Sequence, residues 1–312
     1  MKRGVLLQKI LDEAYEYASQ YLDEGEVASY IPELAKEDKY NLAGVIIDKD
    51  KNIYEAGVSD YKFSMQSISK VAIYLCAIEN LGYDKLKNHV GVKPSSKPFN
   101  SLIELELSDK NIPVNPFINA GAIVCTSLLF EKYGEKTFDI ILDKLKKMSA
   151  NDDMKESEMI FKSENATSHA NRALTYIMVY KGIISKDISV EDMLQVYFKC
   201  CSILSSTKDL AMMSFTLSND GMNIKGEQVV EKRKVRLIRT LMATCGTYDY
   251  SGDFAIKVGV PAKSGVGGGI MLASKHKMGI AAYSPGLDSH GNSLASMRLL
   301  SFISNRLSLD IY

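Results

Sequence analysis

The chain has 312 residues, 46% of them hydrophobic, enough for about two domains and for burying roughly three quarters of the unfolded chain's surface. Basic and acidic residues balance at 38 each, and the basic ones are scattered rather than gathered into a stripe, so the chain has no electrostatic footprint for nucleic acid and no such partner is expected. Cys76, Cys125, Cys200, Cys201 and Cys245 show no C-x-x-C or Cys/His ligand spacing and lie mostly in apolar runs, so they read as reduced core thiols.

The first element is an amphipathic helix over residues 5 to 24, with Leu7, Leu11, Ala14, Ala18, Tyr21 and Leu22 on one face and Gly25 as its stop. Its basic start is that of a signal peptide, but Lys9, Asp12 and Glu13 interrupt the apolar segment, and no run in the chain has the length and lack of charge needed to cross a bilayer. A cytoplasmic protein with no membrane partner is expected. "YNLAGVIIDKDKNIYEAG" then reads as a hairpin: a β-branched run, a polar turn and a second extended run. From 69 to about 80 comes a helix apolar nearly all round, closed by Gly82, as expected of a helix buried between layers.

Residues 83 to 220 are mostly helical in pattern, with "TFDIILDKLKKMS", "ANRALTYIMVYKG", "SVEDMLQVYFKCCSI" and "STKDLAMMSFTLSNDG" each ended by polar or glycine punctuation. The last opens with a capping-box spacing, Ser206 to Asp209. The final third reverts to strands, "FAIKVGVPAKSG", "GGIMLAS" and "MGIAAYS", before a closing helix from about 292 to 307. This order implies an α/β domain, 1–82 with 221–312, split by a helical domain over 83–220, with the active site at their interface.

Chemistry is concentrated in "SMQSISK". Ser67 and Lys70 face the same side of a helix at i and i+3, and a serine becomes a nucleophile when a neutral amine takes its proton. The same S-x-x-K spacing occurs at Ser59 and Lys62, Ser205 and Lys208, and Ser274 and Lys277. Context separates Ser67, which sits where a strand-rich segment meets the buried helix. Burial, the nearby helix dipole and a second cation such as Lys263 would all push Lys70 toward neutrality. The alternative is a Lys70 that snorkels to water beside a capping Ser67. "AKSGVGGG" is similar to the K-T-G of serine β-lactamases, and its glycines allow the close backbone approach that an oxyanion hole requires. "SEN" at 163–165 could supply a third element of that set, whereas "SND" at 218–220 reads as a helix-end loop. His89, His169, His276 and His290 have no H-x-x-x-H spacing, which leaves metal-assisted hydrolysis a weak reading.

Taken in order, "SYIPELAK", "QSISK", "NPFINAGAI", "SENATSHAN", "YFKCCSI", "CGTYDYSGDFA", "GVPAKSGVGGGI" and "SPGLDSHGNS" make nearly the whole chain resemble the serine-dependent glutaminases. That resemblance implies a β-lactamase/transpeptidase-like α/β fold, an antiparallel sheet flanked by helices with an inserted all-helical domain. It implies hydrolysis of L-glutamine to L-glutamate and ammonia through a γ-glutamyl ester on Ser67, with Lys70 taking the serine's proton and Tyr30 and Tyr248 assisting. The N–H groups of Ser67 and Val266 would form the oxyanion hole, Lys263 would play a supporting part, and Asn119, Glu164, Asn171 and Tyr197 would hold the amino-acid end of the substrate. The residue types suit a zwitterion: a carboxylate for its ammonium, and hydrogen-bond donors for its carboxylate. One departure is that Ala170, rather than the arginine frequent in the family, precedes Asn171, and Arg172 follows it. No organic cofactor or metal is implied, and a homodimer or homotetramer is expected. Two rivals remain: a β-lactam-recognising acylase of the same fold, and a non-catalytic domain that binds an amino acid.

Overall fold

In the computed structural model, which describes residues 3–95, 112–274 and 277–312, the chain opens with α1 (Arg3–Ser19) and a two-residue strand, β1 (Glu26–Val27). The expected hairpin follows as β2 (Ala43–Ile47) and β3 (Ile53–Gly57), paired antiparallel. Asp48 builds its turn by accepting from the backbone N–H groups of Asp50 (2.8 Å) and Asn52 (3.0 Å), while Lys51 takes a left-handed φ of 69°. After β4 (Phe63–Ser64) come a 3-10 turn (Gln66–Ser69), α2 (Lys70–Leu81) and a single helical turn, α3 (Tyr83–Leu86). A helical stretch holds α4 (Asn119–Tyr133), α5 (Lys136–Ser149), α6 (Glu158–Thr167), α7 (His169–Tyr180) and α8 (Val190–Cys201). Then come β5 (Leu204–Ser205), α9 (Thr207–Ser218), α10 (Lys232–Cys245) and α11 (Ser251–Lys257). The chain closes with β6 (Ala262–Ser264), β7 (Gly269–Ala273), β8 (Gly279–Tyr283), β9 (Gly286–Leu287) and α12 (Leu294–Leu307).

The main sheet has the order β3-β2-β8-β7-β6 and is antiparallel throughout. Every residue of β2, β7 and β8 is buried, as a sheet covered on both faces requires. Alternation sorts their side chains. Ile46, Ile270, Leu272 and Ile280 join Leu7, Leu11 and Leu299 of α1 and α12, whereas Val45, Ile47, Met271 and Ala281 join the larger core on the opposite face, where α9 lies. That larger core runs on into α2, α4, α5 and α8, so the helices around Lys70 are packed continuously with the sheet. The result is a mixed α/β architecture, an antiparallel sheet flanked by helices, as the family resemblance implied.

Three local expectations differ from the structure. Residues 254–257, read as strand, form the end of α11: alternation would bury Ile256 with Phe254 and Val258, but Ile256 is 87% exposed while the other two are buried, a helical spacing. Helix α10 was not read at all, although Val235, Ile238, Leu241, Met242 and Cys245 line one face at helical spacing. Helix α9, counted with the helical insert, packs across β7 and β8 instead. Its Ser206–Asp209 capping box forms as expected.

The contact between α9 and the sheet depends on Gly279. A Cβ there would lie 2.2 Å from the Ala211 carbonyl oxygen and 2.8 Å from Phe215 Cβ, so only glycine lets the helix backbone come so near the strand. Gly279→Val should therefore lower the melting temperature by roughly 5 °C or more, an overpacking cost of ~2–3 kcal/mol; an unchanged melting curve would contradict this packing.

Candidate active site

The segment carrying Ser67 is held from both sides. Strand β4 pairs with β5, and Met65 N–H donates to the Ile203 carbonyl at 2.8 Å. Gln66 then adopts φ 47°, a left-handed conformation uncommon for a non-glycine residue, and Ser69 Oγ locks the turn by donating to the Gln66 carbonyl at 2.8 Å. The glycine turn after β6 closes over this backbone. A Cβ on Gly267 would stand 2.2 Å from the Ser64 carbonyl oxygen, and one on Gly265 would stand 2.7 Å from that of Met65 and 3.4 Å from Ser67 N. Val266, at the tip, packs with Ala28, Ile31 and Leu34 of the segment that carries Tyr30.

Lys70 is fully buried. Its Nζ donates to Asn119 Oδ1 (2.6 Å) and to the Phe117 carbonyl (3.2 Å), both uncharged acceptors. Burial pushes the amine down to about 8, against the opposing pull of Cys201 and Glu164. Among the described residues, no hydrogen bond joins Ser67 to Lys70. Two of the three positions on the amine are used, and the third is what a neutral Lys70 could offer the serine. The competing S-x-x-K lysines are different: Lys62 pairs with Asp209 (2.8 Å), Lys208 pairs with Glu55 (2.6 Å) and Asp60 (3.0 Å), and Lys277 is exposed. Buried placement on uncharged acceptors marks out Lys70.

Tyr248 also reaches Ser67. It is buried at φ 62°, and its hydroxyl is hydrogen-bonded to Ser67 and donates to the Ser264 carbonyl at 3.3 Å. Beneath its ring, 4.4 Å from the centroid, lies Lys263 Nζ, which donates to the carbonyls of Gly246 (3.0 Å) and Ser264 (2.6 Å). Burial, and then repulsion from Lys70, push this second amine well down. Lys263 is fully buried and does not line the pocket, so it presents no cation to a ligand.

A cavity of about 90 Å³ opens beside Ser67, lined also by Tyr30, Gln66, Asn119, Glu164, Thr167, Ser168, Ala170, Asn171, Tyr197 and Cys201. Its polar residues come from separate elements. Asn115 Oδ1 accepts from the N–H groups of Phe117 and Ile118, folding the turn that delivers Asn119 as the first residue of α4. Asn119 Nδ2 donates to Asn171 Oδ1 at 2.9 Å, and the Tyr197 hydroxyl donates to Asn119 Oδ1 at 3.5 Å. The break at Ser168 between α6 and α7 brings Glu164, in the last turn of one, next to Asn171, in the first turn of the other. The N-termini of α4 and α7 and the 3-10 turn that leads into α2 thus meet at one small cavity, and the helices' partial positive charge suits an anionic group.

Glu164 is buried and accepts from Gln66 Nε2 at 3.2 Å and from the Cys201 thiol; burial pushes its carboxyl up to about 7. The Tyr30 ring is exposed at the mouth, while its hydroxyl end reaches in toward Glu164 and Tyr248. Arg172 turns away from the cavity to Glu191 (3.0 Å) and to the carbonyl and Oδ1 of Asn165 (2.7 and 2.6 Å), leaving Ala170 on the lining.

The structure therefore gathers Tyr30, Ser67, Asn119, Glu164, Asn171 and Tyr197 on the lining, with Lys70, Tyr248, Lys263 and Val266 packed around it. Sequence reasoning missed Gln66, Thr167, Ser168 and the pocket role of Cys201. Only Cys201 carried a signal, falling one helical turn after Tyr197. His276 lies outside the described residues, and among those described no group of three or more His, Cys, Asp or Glu side chains is placed to hold a metal ion.

A family model described as Glutaminase matches residues 25–312. A glutaminase of Clostridium tetani is 43% identical over 309 residues, 98% of this chain and all of that one. Among solved structures, the probable glutaminase ybaS superposes with a TM-score of 0.92 at 36% identity, covering 98% of each chain. A probable glutaminase from Bacillus subtilis, complexed with 6-diazo-5-oxo-L-norleucine, gives 0.86 at 33% identity over 96% of this chain and 94% of that one.

Lys70 yields a stability test independent of turnover. Its folded-state proton affinity lies below the unfolded value of 10.5, so the unfolded chain binds the extra proton and wild-type stability rises with pH between about 8 and 10.5. Lys70→Met removes that dependence. Its stability relative to wild type should fall by about 3 kcal/mol as pH rises across this interval, measured by denaturant melts; parallel pH profiles would show the amine to be ordinary.

Proposed function

The chain belongs to the glutaminase family, and from that premise we propose that Ser67 is the nucleophile that hydrolyses the side-chain amide of L-glutamine, with Lys70 as its base. The observation that carries this reading is the uncharged-acceptor environment of Lys70 one helical turn from Ser67, at the wall of a cavity lined by Glu164, Asn119 and Asn171. Ser67 Oγ attacks the amide carbonyl carbon and its proton passes to Lys70 Nζ. The N–H groups of Ser67 and Val266 bind the resulting oxyanion, which the glycine turn over the Ser67 backbone supports. Returning the proton to nitrogen breaks the C–N bond and releases ammonia, leaving a γ-glutamyl ester. A water molecule, deprotonated by the same base, then attacks the ester and releases glutamate. Tyr248, in contact with the Ser67 hydroxyl, and Tyr30, at the mouth, relay protons in both steps.

Glu164 pairs with the substrate's α-ammonium, while the amides of Asn119 and Asn171, the Tyr197 hydroxyl and the converging helix N-termini receive its carboxylate. A buried carboxylate set opposite amide and hydroxyl donors suits a free amino acid rather than a chain end. Against a β-lactam acylase stands Lys263, whose amine is turned to backbone carbonyls, and against a purely binding domain stands the retention of Ser67, Lys70 and Tyr248 together. The reading also places the site between an α/β domain (1–82 and 221–312), whose sheet α9 covers, and the helices that make up the rest of 83–220. It makes the protein a cytoplasmic homodimer or homotetramer that needs no cofactor; among the described residues no helix is long and apolar enough to cross a membrane.

Ammonia and glutamate release from purified protein tests this directly. Ser67→Ala should lower the rate by about 10⁴-fold or more with the fold intact, and Lys70→Met should do nearly the same; substantial turnover by folded Ser67→Ala would remove Ser67 as nucleophile. The pH profile has a determined sign. Lys70 acts as a base only when neutral, so kcat should rise with pH through about 8, and Glu164 holds an ammonium only when ionised, so KM should increase as pH falls below about 7. A kcat that falls as pH rises from 6 to 8 would contradict the assignment of Lys70.

A further inference from the structure

The proposed mechanism leaves two buried polar side chains of the cavity, Gln66 and Cys201, without a part. Cys201 ends α8, one helical turn after Tyr197, is 3% exposed and lines the cavity with Glu164 and Ser67. Its thiol is hydrogen-bonded to the Glu164 carboxylate and to the Tyr197 hydroxyl. Among the described residues, the other hydrogen bond to that carboxylate comes from Gln66 Nε2. Glu164 is thus a buried anion held by two neutral donors, and no basic side chain stands within ion-pair distance of it among the described residues.

We propose that Cys201 is a positioning residue of the ammonium subsite, its S–H holding the Glu164 carboxylate turned toward the α-ammonium of an L-amino acid. This rests on the glutaminase reading. The chemistry of the donor explains the choice. A cation at position 201 would neutralise Glu164 and compete with the substrate's ammonium, and an alkyl side chain would leave a buried carboxylate oxygen short of a donor. A neutral donor stabilises the anion and leaves its charge for the ligand. Burial pushes the thiol's proton affinity well up, with Glu164 adding to that and Lys70 opposing it, so the group remains a donor rather than a thiolate.

The test compares wild type with Cys201→Ala, Cys201→Ser and Glu164→Gln, reading kcat and KM for L-glutamine and, without turnover, the Kd for L-glutamate by calorimetry. Cys201→Ala should raise KM and Kd about tenfold while kcat stays within about threefold, and Cys201→Ser, which keeps a donor, should restore both to within about threefold of wild type. Adding Cys201→Ala to Glu164→Gln should then have no further effect on Kd, because the two act through one contact. Glu164 is faced by Lys70 from α2, by Tyr30 at the mouth, and by Tyr197, Cys201 and, farther off, Cys200 from α8. Losing only the Cys201 donor should therefore raise the Glu164 proton affinity and move the acid limb of kcat/KM to higher pH. Wild-type Kd, KM and acid limb in Cys201→Ala would overturn the proposal. So would a joint loss of kcat and binding that serine does not rescue, which marks a packing role. If wild-type protein released no ammonia from glutamine, the catalytic reading would fail by itself, and the L-glutamate Kd series would still decide the role of Cys201.

Discussion

A primary amine taken wholly out of water at the start of α2 is the constraint around which the rest of the site is arranged. Holding Lys70 in charged form there costs about 3 kcal/mol relative to water, the equivalent of lowering it from 10.5 to about 8. A carboxylate alongside would remove that cost and remove the base with it. The fold supplies instead a backbone carbonyl and a side-chain amide oxygen, which accept from the amine in either protonation state. Because Lys70 spends an N–H on the Asn119 oxygen, it also fixes which way the Asn119 amide points, and that orientation aims Asn119 Nδ2 at Asn171. The proton affinity of the base and the shape of the binding site are set by the same contact.

The surrounding backbone carries strain consistent with that role. Gln66, which precedes Ser67, and Tyr248, whose hydroxyl bonds to it, both sit in the left-handed region, a cost of about 1–3 kcal/mol each. Both are tied down from nearby. Ser69 Oγ holds the Gln66 carbonyl and Ser251 Oγ holds that of Tyr248 at 2.8 Å. Lys263 stitches the Gly246 and Ser264 carbonyls together beneath the Tyr248 ring. This second buried amine thus acts through the backbone, and repulsion between the two amines runs in the direction that keeps them uncharged.

The sheet was legible in the sequence because its signals are local. The Asp and Lys turn after β2 and the apolar runs of β2, β7 and β8 carry their own pairing information. Residues 254–257 misled because Phe254, Ile256 and Val258 alternate as strand residues do, and only the tertiary contacts of Phe254 and Val258 decide for helix. That α9 would cover the sheet rather than join the helical insert was not legible, since an amphipathic face does not name its partner. By spacing alone Ser67 and Lys70 were one of four equal pairs, and only their place where strands meet a buried helix favoured them. What sets them apart is the distant turn at 115–119, which no local pattern reveals. The pocket residues converge from several elements, and their family resemblance found them where periodicity could not. Gln66 escaped because a left-handed non-glycine residue has no compositional signature.

The claim on which the account depends is that Lys70 gives up its proton near pH 8 rather than above 10. Carbon-13 NMR of protein labelled at lysine Cε reports this directly, with the resonance assigned by its absence from Lys70→Met. The account predicts a Lys70 signal that titrates near pH 8, more than two units below the ordinary lysine value of 10.5. A Lys70 signal still fully protonated at pH 10 would contradict it.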